Sequence, residues 1–317
     1  MRGLLRTIMK RPGTVCCANL FLLALMLLTT ASVQAASDVV VIIKSKNIPP
    51  YDEAVDGFTK VCTSEAVAYT LRDGESSEGA ILKDVAKSRT KLILAVGSPA
   101  LRFAVDKFTD IPVVFSVVVD PSGVIGDEKS VRGATLQVSP KAQFEAMLQI
   151  APHAKRLGVV YDPSKTGPLI EEAANDAREL GLELVSREVS STADVAAAWK
   201  EIQDSIDALW MVPDTTTVTD QSFQYMLTIS SKRNLPLMAI SGKYVSKGAL
   251  LALTADYRDV GRQAGEIANR VLRGADPSRI RSTTVRSPKL VLNLRTAELI
   301  GLTVPEEITA EAAHVYD

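Results

Sequence analysis

Residues 207–274 alternate short apolar runs with polar, helix-like stretches in a way that few folds accommodate. The run DALWMVPDTTTV reads as a buried strand ending in a polar Pro-Asp-Thr loop, with a helix-like stretch after it. NLPLMAISG reads as a second buried strand closing in a Ser-Gly loop, and GALLAL as a third that leads into a capped amphipathic helix. Runs of this kind recur along the chain at 39–43, 92–96, 113–119, 157–161, 208–212, 235–240 and 249–253. They are short and nearly continuous rather than alternating, as expected of parallel strands covered by helices on both faces. Repeated strand–helix units predict a doubly wound α/β architecture.

The clearest helix spans 257–273. Asp256 caps its first turn, Gly274 sits beyond its end, and Val260, Ala264, Ile267, Ala268, Val271 and Leu272 make one apolar stripe. A second helix opens at Ser139-Pro140, a cap followed by proline at the first helical position, with Phe144, Met147, Leu148 and Ala151 as its apolar face. Trp210 lies inside a strand and belongs to the core. No tandem repeat or low-complexity segment interrupts the pattern.

The N-terminus reads as an export signal. Arg2, Arg6, Lys10 and Arg11 precede an apolar core from Leu20 to Leu28, and Val33 and Ala35 meet the small-residue rule for cleavage after Ala35. That core is far shorter than the ~20 residues a bilayer span needs. Cys16 and Cys17 precede it, so the pattern is not that of a lipoprotein, and the expected location is the periplasm with no membrane insertion after cleavage. The mature chain keeps only Cys62, read as a small buried side chain on a helix, with no partner for an internal disulfide. Removing 1–35 leaves 32 basic against 37 acidic residues, a net charge of −5, which argues against nucleic acid as a partner.

The stretches LILAVGSPAL (92–101), IPVVFSVVVDPSG (111–123), VRGATLQVSP (131–140), AKRLGVVYDPSKTG (154–167), KGALLALTADYRDVGRQAGEIANRVLRG and LVLNLRTAELIGLTVPEE (290–307) occur here in a distinctive order and spacing. Together they resemble the ABC-transporter substrate-binding proteins of the tryptophan/tyrosine type. The resemblance implies two Rossmann-like lobes of the type I periplasmic binding protein kind, joined by a multi-crossing hinge and closing on a small-molecule ligand. On that pattern 36–137 plus 255–284 form the N-terminal lobe, and 138–254 plus 285–317 the C-terminal lobe. The implied partner is a membrane permease with its ATPase, and the implied state is a monomer. The chain departs from the family where Thr-Asp-Asn is replaced by Asp214, Thr215 and Thr216, and where Gly-Asp-Thr-Asp is replaced by Ile240, Ser241, Gly242 and Lys243. Carboxylates suited to a ligand ammonium are thereby lost or shifted.

In open α/β sheets, ligands bind at the carboxyl ends of the strands. Gly97-Ser98-Pro99-Ala100 closes one strand and opens a helix, with Ser98 as the expected cap and Pro99 at the first helical position. The amides of that turn form either an anion site or an ordinary cap. Asp214, Thr215 and Thr216, with Thr217, close a strand of the other lobe, where they either meet a ligand ammonium or hydroxyls or cap the next helix. Ser241 and Gly242 end the following strand. Tyr51, Tyr161 and Tyr244 fall in loops after strands, as stacking surfaces or as packing residues. Asp120-Pro121 and Asp162-Pro163 are turn formers, with Asp120 also at the border of the cleft, and Ser116 in the run before it joins the candidate set. Ser98 and the 214–217 loop are expected to face each other across the cleft.

Catalysis finds no support in the motifs. The two histidines, His153 and His314, lie far apart, and no nucleophile elbow, metal spacing, P-loop or dinucleotide fingerprint is present, so no cofactor is implied. The competing reading is a sensory binding protein of the same fold that reports to a membrane receptor or kinase.

Overall fold

The computed structural model describes residues 39–317 apart from 72–74 and 127–129. The expected signal segment, 1–35, lies outside the described residues. Two separate sheets organise the chain. The first is parallel throughout and contains β1 (Val39–Lys44), β2 (Glu65–Thr70), β3 (Thr90–Val96), β4 (Val113–Val118) and β5 (Val131–Thr135) in the order β2-β1-β3-β4-β5. Its inner strands are apolar on both faces because helices cover both. Val40, Ile42, Leu92, Leu94 and Val114 pack towards α1 (Pro49–Thr59), while Val41, Ile43, Ile93 and Phe115 pack towards α2 (Glu75–Lys87) and α3 (Ser98–Lys107). A short α4 (Ser122–Ile125) follows β4.

After α5 (Pro140–Ile150) the second sheet begins. It contains β6 (Arg156–Tyr161), β7 (Glu183–Glu188), β8 (Ala208–Trp210), β9 (Leu237–Ala239), β10 (Leu251–Thr254), β11 (Lys289–Asn293) and β12 (His314–Tyr316), in the order β12-β11-β10-β9-β8-β6-β7. Only the β10–β11 pairing is antiparallel. The helices here are α6 (Pro163–Glu179), α7 (Val195–Ile202), α8 (Asp220–Arg233) and α9 (Gly242–Val245). Trp210 is core, as its place in the run predicts. It is 1% exposed, its indole N–H donates to Gln143 Oε1 (2.8 Å), and Phe144 meets it edge-on at 4.9 Å.

The most strongly amphipathic helix among the described residues, α10 (Tyr257–Leu272), follows β10 of the second sheet yet packs on the first. Asp256 caps it by accepting from the Asp259 N–H (3.1 Å), and Gly274 beyond it takes φ +90°. Its contact with α1 is backbone to backbone: a Cβ on Gly261 would lie 1.9 Å from the Ala54 carbonyl oxygen, and one on Gly57 2.0 Å from that of Arg258. Asn269 adds bonds to the Thr63 N–H (3.1 Å) and the Val61 carbonyl (2.8 Å). The chain then passes β5, where the Thr135 N–H donates to Thr283 (2.8 Å), before entering β11. The last helices are α11 (Leu294–Leu299) and α12 (Glu306–Glu311). The chain thus crosses between the sheets three times.

One expectation needs correcting. Cys62 is not on a helix: it follows α1 in the connection to β2, half-buried, and burial pushes its thiol pKa up. Among the described residues no helix is long and apolar enough to cross a membrane.

Candidate functional site

Strand order shows where each sheet opens. In an order of the 2-1-3 kind, the chain leaves the first strand in one direction and the third in the other, and the loops part to leave a crevice. The first sheet switches between β1 and β3. The second switches between β6 and β8, because β7 lies outside β6. Polar side chains gather at both points.

At the first switch point, Ser45 follows β1 and is buried. Its hydroxyl donates to the Val96 carbonyl (2.9 Å) and accepts from the Ala100 N–H (2.9 Å), tying the β1 loop to the start of α3. Gly97 occupies the cap position with φ +90°, and a Cβ there would meet the Tyr51 hydroxyl at 2.6 Å and the Ser45 hydroxyl at 2.7 Å. Glycine is therefore required for two reasons: the left-handed backbone and the absence of space. Tyr51 stands in the first turn of α1 rather than in a loop. Lys44 bonds Asp52 (2.6 Å) and Asn47 (2.9 Å), bracing the same loop.

These contacts revise the anion-site expectation. Ser98 is the first residue of α3 and not its cap, since the helix has no cap from its own side chains. Pro99 has no N–H, the Ala100 N–H is taken by Ser45, and the Leu101 N–H donates to the Gly97 carbonyl. Ala100 is fully buried, whereas Ser98 and Pro99 are exposed. The turn presents Ser98 to solvent instead of a row of open amides.

The neighbouring end of β4 carries the most unusual backbone. Ser116 is fully buried, its carbonyl accepts from the Gly97 N–H (2.9 Å), and its hydroxyl has no hydrogen-bond partner. Val117 adopts φ +58°, a left-handed conformation rare for a β-branched residue, and the β4–β5 register slips between Ser116 and Val118. Asp120 is exposed and accepts from the Ser122 N–H (2.9 Å) and hydroxyl (2.6 Å), so it shapes the turn into α4.

At the second switch point two carboxylates interlock. Asp214, 1% exposed, accepts from the Asp162 N–H (2.8 Å) and Thr166 hydroxyl (2.7 Å) on one oxygen, and from the Thr216 N–H (2.8 Å) and Thr217 N–H (3.2 Å) on the other. Asp162 caps α6 through Ser164 and accepts the Thr216 hydroxyl (2.7 Å). The hydrogen bonds from Ser164, then that from Thr216, hold the Asp162 pKa below the ordinary carboxylate range. With four donors on it, the Asp214 carboxylate is a tether between two loops and not an open acceptor for a ligand ammonium. Thr216 is consumed in the same network, and Thr215 alone of this group is exposed.

The other tyrosines do not join these clusters. Tyr161 ends β6 inside the core. Its hydroxyl donates to Glu188 (3.0 Å), and burial, followed by that carboxylate, raises its pKa. Tyr244 lies in α9 and stacks edge-on against Phe223 at 4.7 Å. Ser241 stands at the cap position of α9 without a side-chain cap bond, and Gly242 follows it, both half-buried. The sequence reading missed Ser45, Thr166 and the capping role of Asp162, and also Tyr257. Tyr257 opens α10 just past a crossing, with its phenol pKa raised by burial first and then by Glu53 and Tyr51. Among the described residues no three His, Cys, Asp or Glu side chains come together as a metal site.

Residues 38–316 match the family model described as ABC transporter substrate binding protein. The chain belongs to this family. A tyrosine-binding protein of Clostridioides difficile strain R20291 is 26% identical over 288 residues, covering 82% of each chain. Two solved structures share the fold. One is the ABC domain from Streptococcus pneumoniae in complex with L-Trp, at 22% identity, with 88% of this chain and 99% of that one covered and a TM-score of 0.56. The other is the ligand-free, open form of a substrate-binding protein with adhesive properties from Clostridium difficile, at 21% identity, the same coverage and a TM-score of 0.69. The two α/β lobes of those structures correspond to the two sheets of this chain.

Proposed function

We propose that the protein is an exported receptor that closes its two lobes on a small solute, an amino acid or a close relative of one, and delivers it to a membrane permease driven by an ATPase. The lobes are 36–137 plus 255–284 and 138–254 plus 285–317, hinged at the three crossings. The mature protein begins after Ala35, works as a monomer in the periplasm and performs no catalysis. One observation carries this reading: each sheet has a single strand-order switch, and both switch points are built of buried, mutually bonded polar groups instead of apolar packing. Such rims are rigid, and rigid rims on a hinge suit closure around a ligand.

The groups left open by those networks are the proposed contacts. On the first lobe they are Ser98, Pro99, Tyr51 and Asp120, with the fully buried, unpartnered Ser116 hydroxyl behind them, and on the second Thr215, Ser241 and Gly242. Asp214, Thr216 and Ala100 act behind them, holding the loops. The relatives named for tyrosine and L-Trp support an aromatic amino acid as the first solute to test. The test is a thermal-shift and calorimetric screen of mature 36–317 against amino acids, small acids, sugars and nucleosides. A solute at ~100 times its dissociation constant raises stability by about 2.7 kcal/mol, a readily measured shift. Binding of L-tyrosine or L-tryptophan is the expected result; binding of a sugar or nucleoside alone would overturn the proposed solute class.

A further inference from the structure

Four large hydrophobic side chains are substantially exposed among the described residues: Ile48 (37%), Val67 (40%), Val119 (48%) and Leu299 (65%). Val67 lies mid-strand on the edge strand β2, and Leu299 ends α11. Ile48 and Val119 are placed differently. Ile48 closes the loop after β1 and immediately precedes α1, and Val119 is the first residue beyond β4. Because β1, β3 and β4 are consecutive in the sheet, these two residues stand on the loops on either side of the Gly97–Pro99 turn, at the carboxyl edge of one sheet.

The β4 end, immediately before Val119, is also where the backbone departs from regular strand geometry. The slip at Val117 breaks the side-chain alternation just before Val119: Phe115 and Val117, two residues apart, lie in different cores, and Val118 returns to the core of Phe115. A bulge of this kind re-aims side chains at the end of a strand. The buried Ser116 hydroxyl, left without a partner, lies in the same segment.

We propose that Ile48 and Val119 form the apolar walls of the ligand site on the first lobe, gripping the apolar body of the solute from either side of the Ser98 turn. The assignment rests on the reading that a small solute binds at the switch points. It adds which side chains select for an apolar group, and both lie outside the polar set at those points. Since both residues are exposed, replacing them leaves the fold intact, and the fold is checked by the melting temperature of each variant.

The experiment titrates L-tryptophan and L-tyrosine into wild type, Ile48→Ser, Val119→Ser and, as controls, Val67→Ser and Leu299→Ser. It also records intermolecular NOEs between ligand ring protons and the assigned Ile48 and Val119 methyl groups. The expected result is affinity lowered about tenfold or more in each of the first two variants, as loss of a few apolar carbons in a pocket produces. The controls stay at the wild-type value, and NOEs appear to both methyl groups. Unchanged affinity in Ile48→Ser and Val119→Ser overturns the assignment while leaving the solute reading in place. Weakened binding without NOEs assigns the two residues to lobe closure and overturns it too. A wild type that binds neither amino acid defeats the solute reading, and the assignment falls with it.

Discussion

Gly261→Ala probes the contact that carries α10 from one sheet to the other. The added Cβ would lie 1.9 Å from the Ala54 carbonyl oxygen, 2.7 Å from its carbon and 2.9 Å from its Cα, where ordinary contact begins at 3.4 Å. The obstacle is the backbone of α1, which no rotamer change removes, so the helices must part by roughly 1.5 Å. Parting them loosens Ala54, Phe58, Val260 and Ala264, all fully buried between the helices and the first sheet. Against this stands the helix propensity of alanine over glycine, about 1 kcal/mol in the opposite direction. Overpacking costs ~1–3 kcal/mol where neighbours yield and more where they do not; with backbone as the obstacle the upper end applies, so the net loss expected is about 2 kcal/mol or more. At ~2–4 °C per kcal/mol for a domain of this size, the melting temperature falls by several degrees. Gly79→Ala is the matched control. Gly79 lies in α2 with nothing within 4 Å of its would-be Cβ, so the same substitution there is stabilising by ~0.5–1 kcal/mol. Calorimetric scans of both variants decide the matter. If Gly261→Ala melts at or above wild type, the clamp between α1 and α10 is not as tight as the geometry requires, and the argument fails.

Other substitutions test the rims. Asp214→Ala removes the acceptor of four hydrogen bonds in a buried site and is expected to cost on the order of 3 kcal/mol in urea unfolding, with ligand affinity reduced as the loops uncouple. Asp162 has a depressed folded pKa, so its stabilisation is present above the ordinary carboxylate range and is lost as pH falls through the folded value. Asp162→Asn should therefore flatten the acid limb of the stability–pH profile below about pH 4 while leaving its shape near neutrality unchanged. Gly97→Ala forces a Cβ against Tyr51 and Ser45 at φ +90°, and should reduce ligand affinity and lower the melting temperature together; Tyr51→Phe, which removes only the hydroxyl, should keep the wild-type melting temperature.

The buried strands were legible because burial on both faces leaves an unbroken apolar run: β1, β3, β4, β6, β8, β9 and β10 each sit on one. The edge strands β2 and β7 were not, since an edge facing solvent tolerates EAVAYT or ELVSRE, whose residues are mostly exposed or half-buried. The helix α10 announced itself through Asp256 and Gly274, local signals that need no tertiary partner. The site was legible only to the level of strand ends. Asp214 meets Asp162 and Thr166 across about fifty residues because β6 and β8 are neighbours, and that adjacency is a property of strand order, which no local pattern encodes. For the same reason Ser98, a plausible cap by its own sequence, yields to Ser45 from the neighbouring strand. Tyr161 and Tyr244 follow the rule that a tyrosine at a strand end packs as readily as it binds.

In the proposed arrangement one solute is held by both lobes at once. Isothermal titration of the solute that binds, into wild type, Ser98→Ala and Thr215→Ala, tests it most directly, because one hydroxyl is removed from each rim and both are exposed. Binding is expected to weaken in each variant by about tenfold, the loss for one hydrogen bond to a ligand, with melting temperatures of the ligand-free proteins unchanged. Wild-type affinity in either variant would mean that one rim does not touch the solute, and would contradict closure of the two switch points around it.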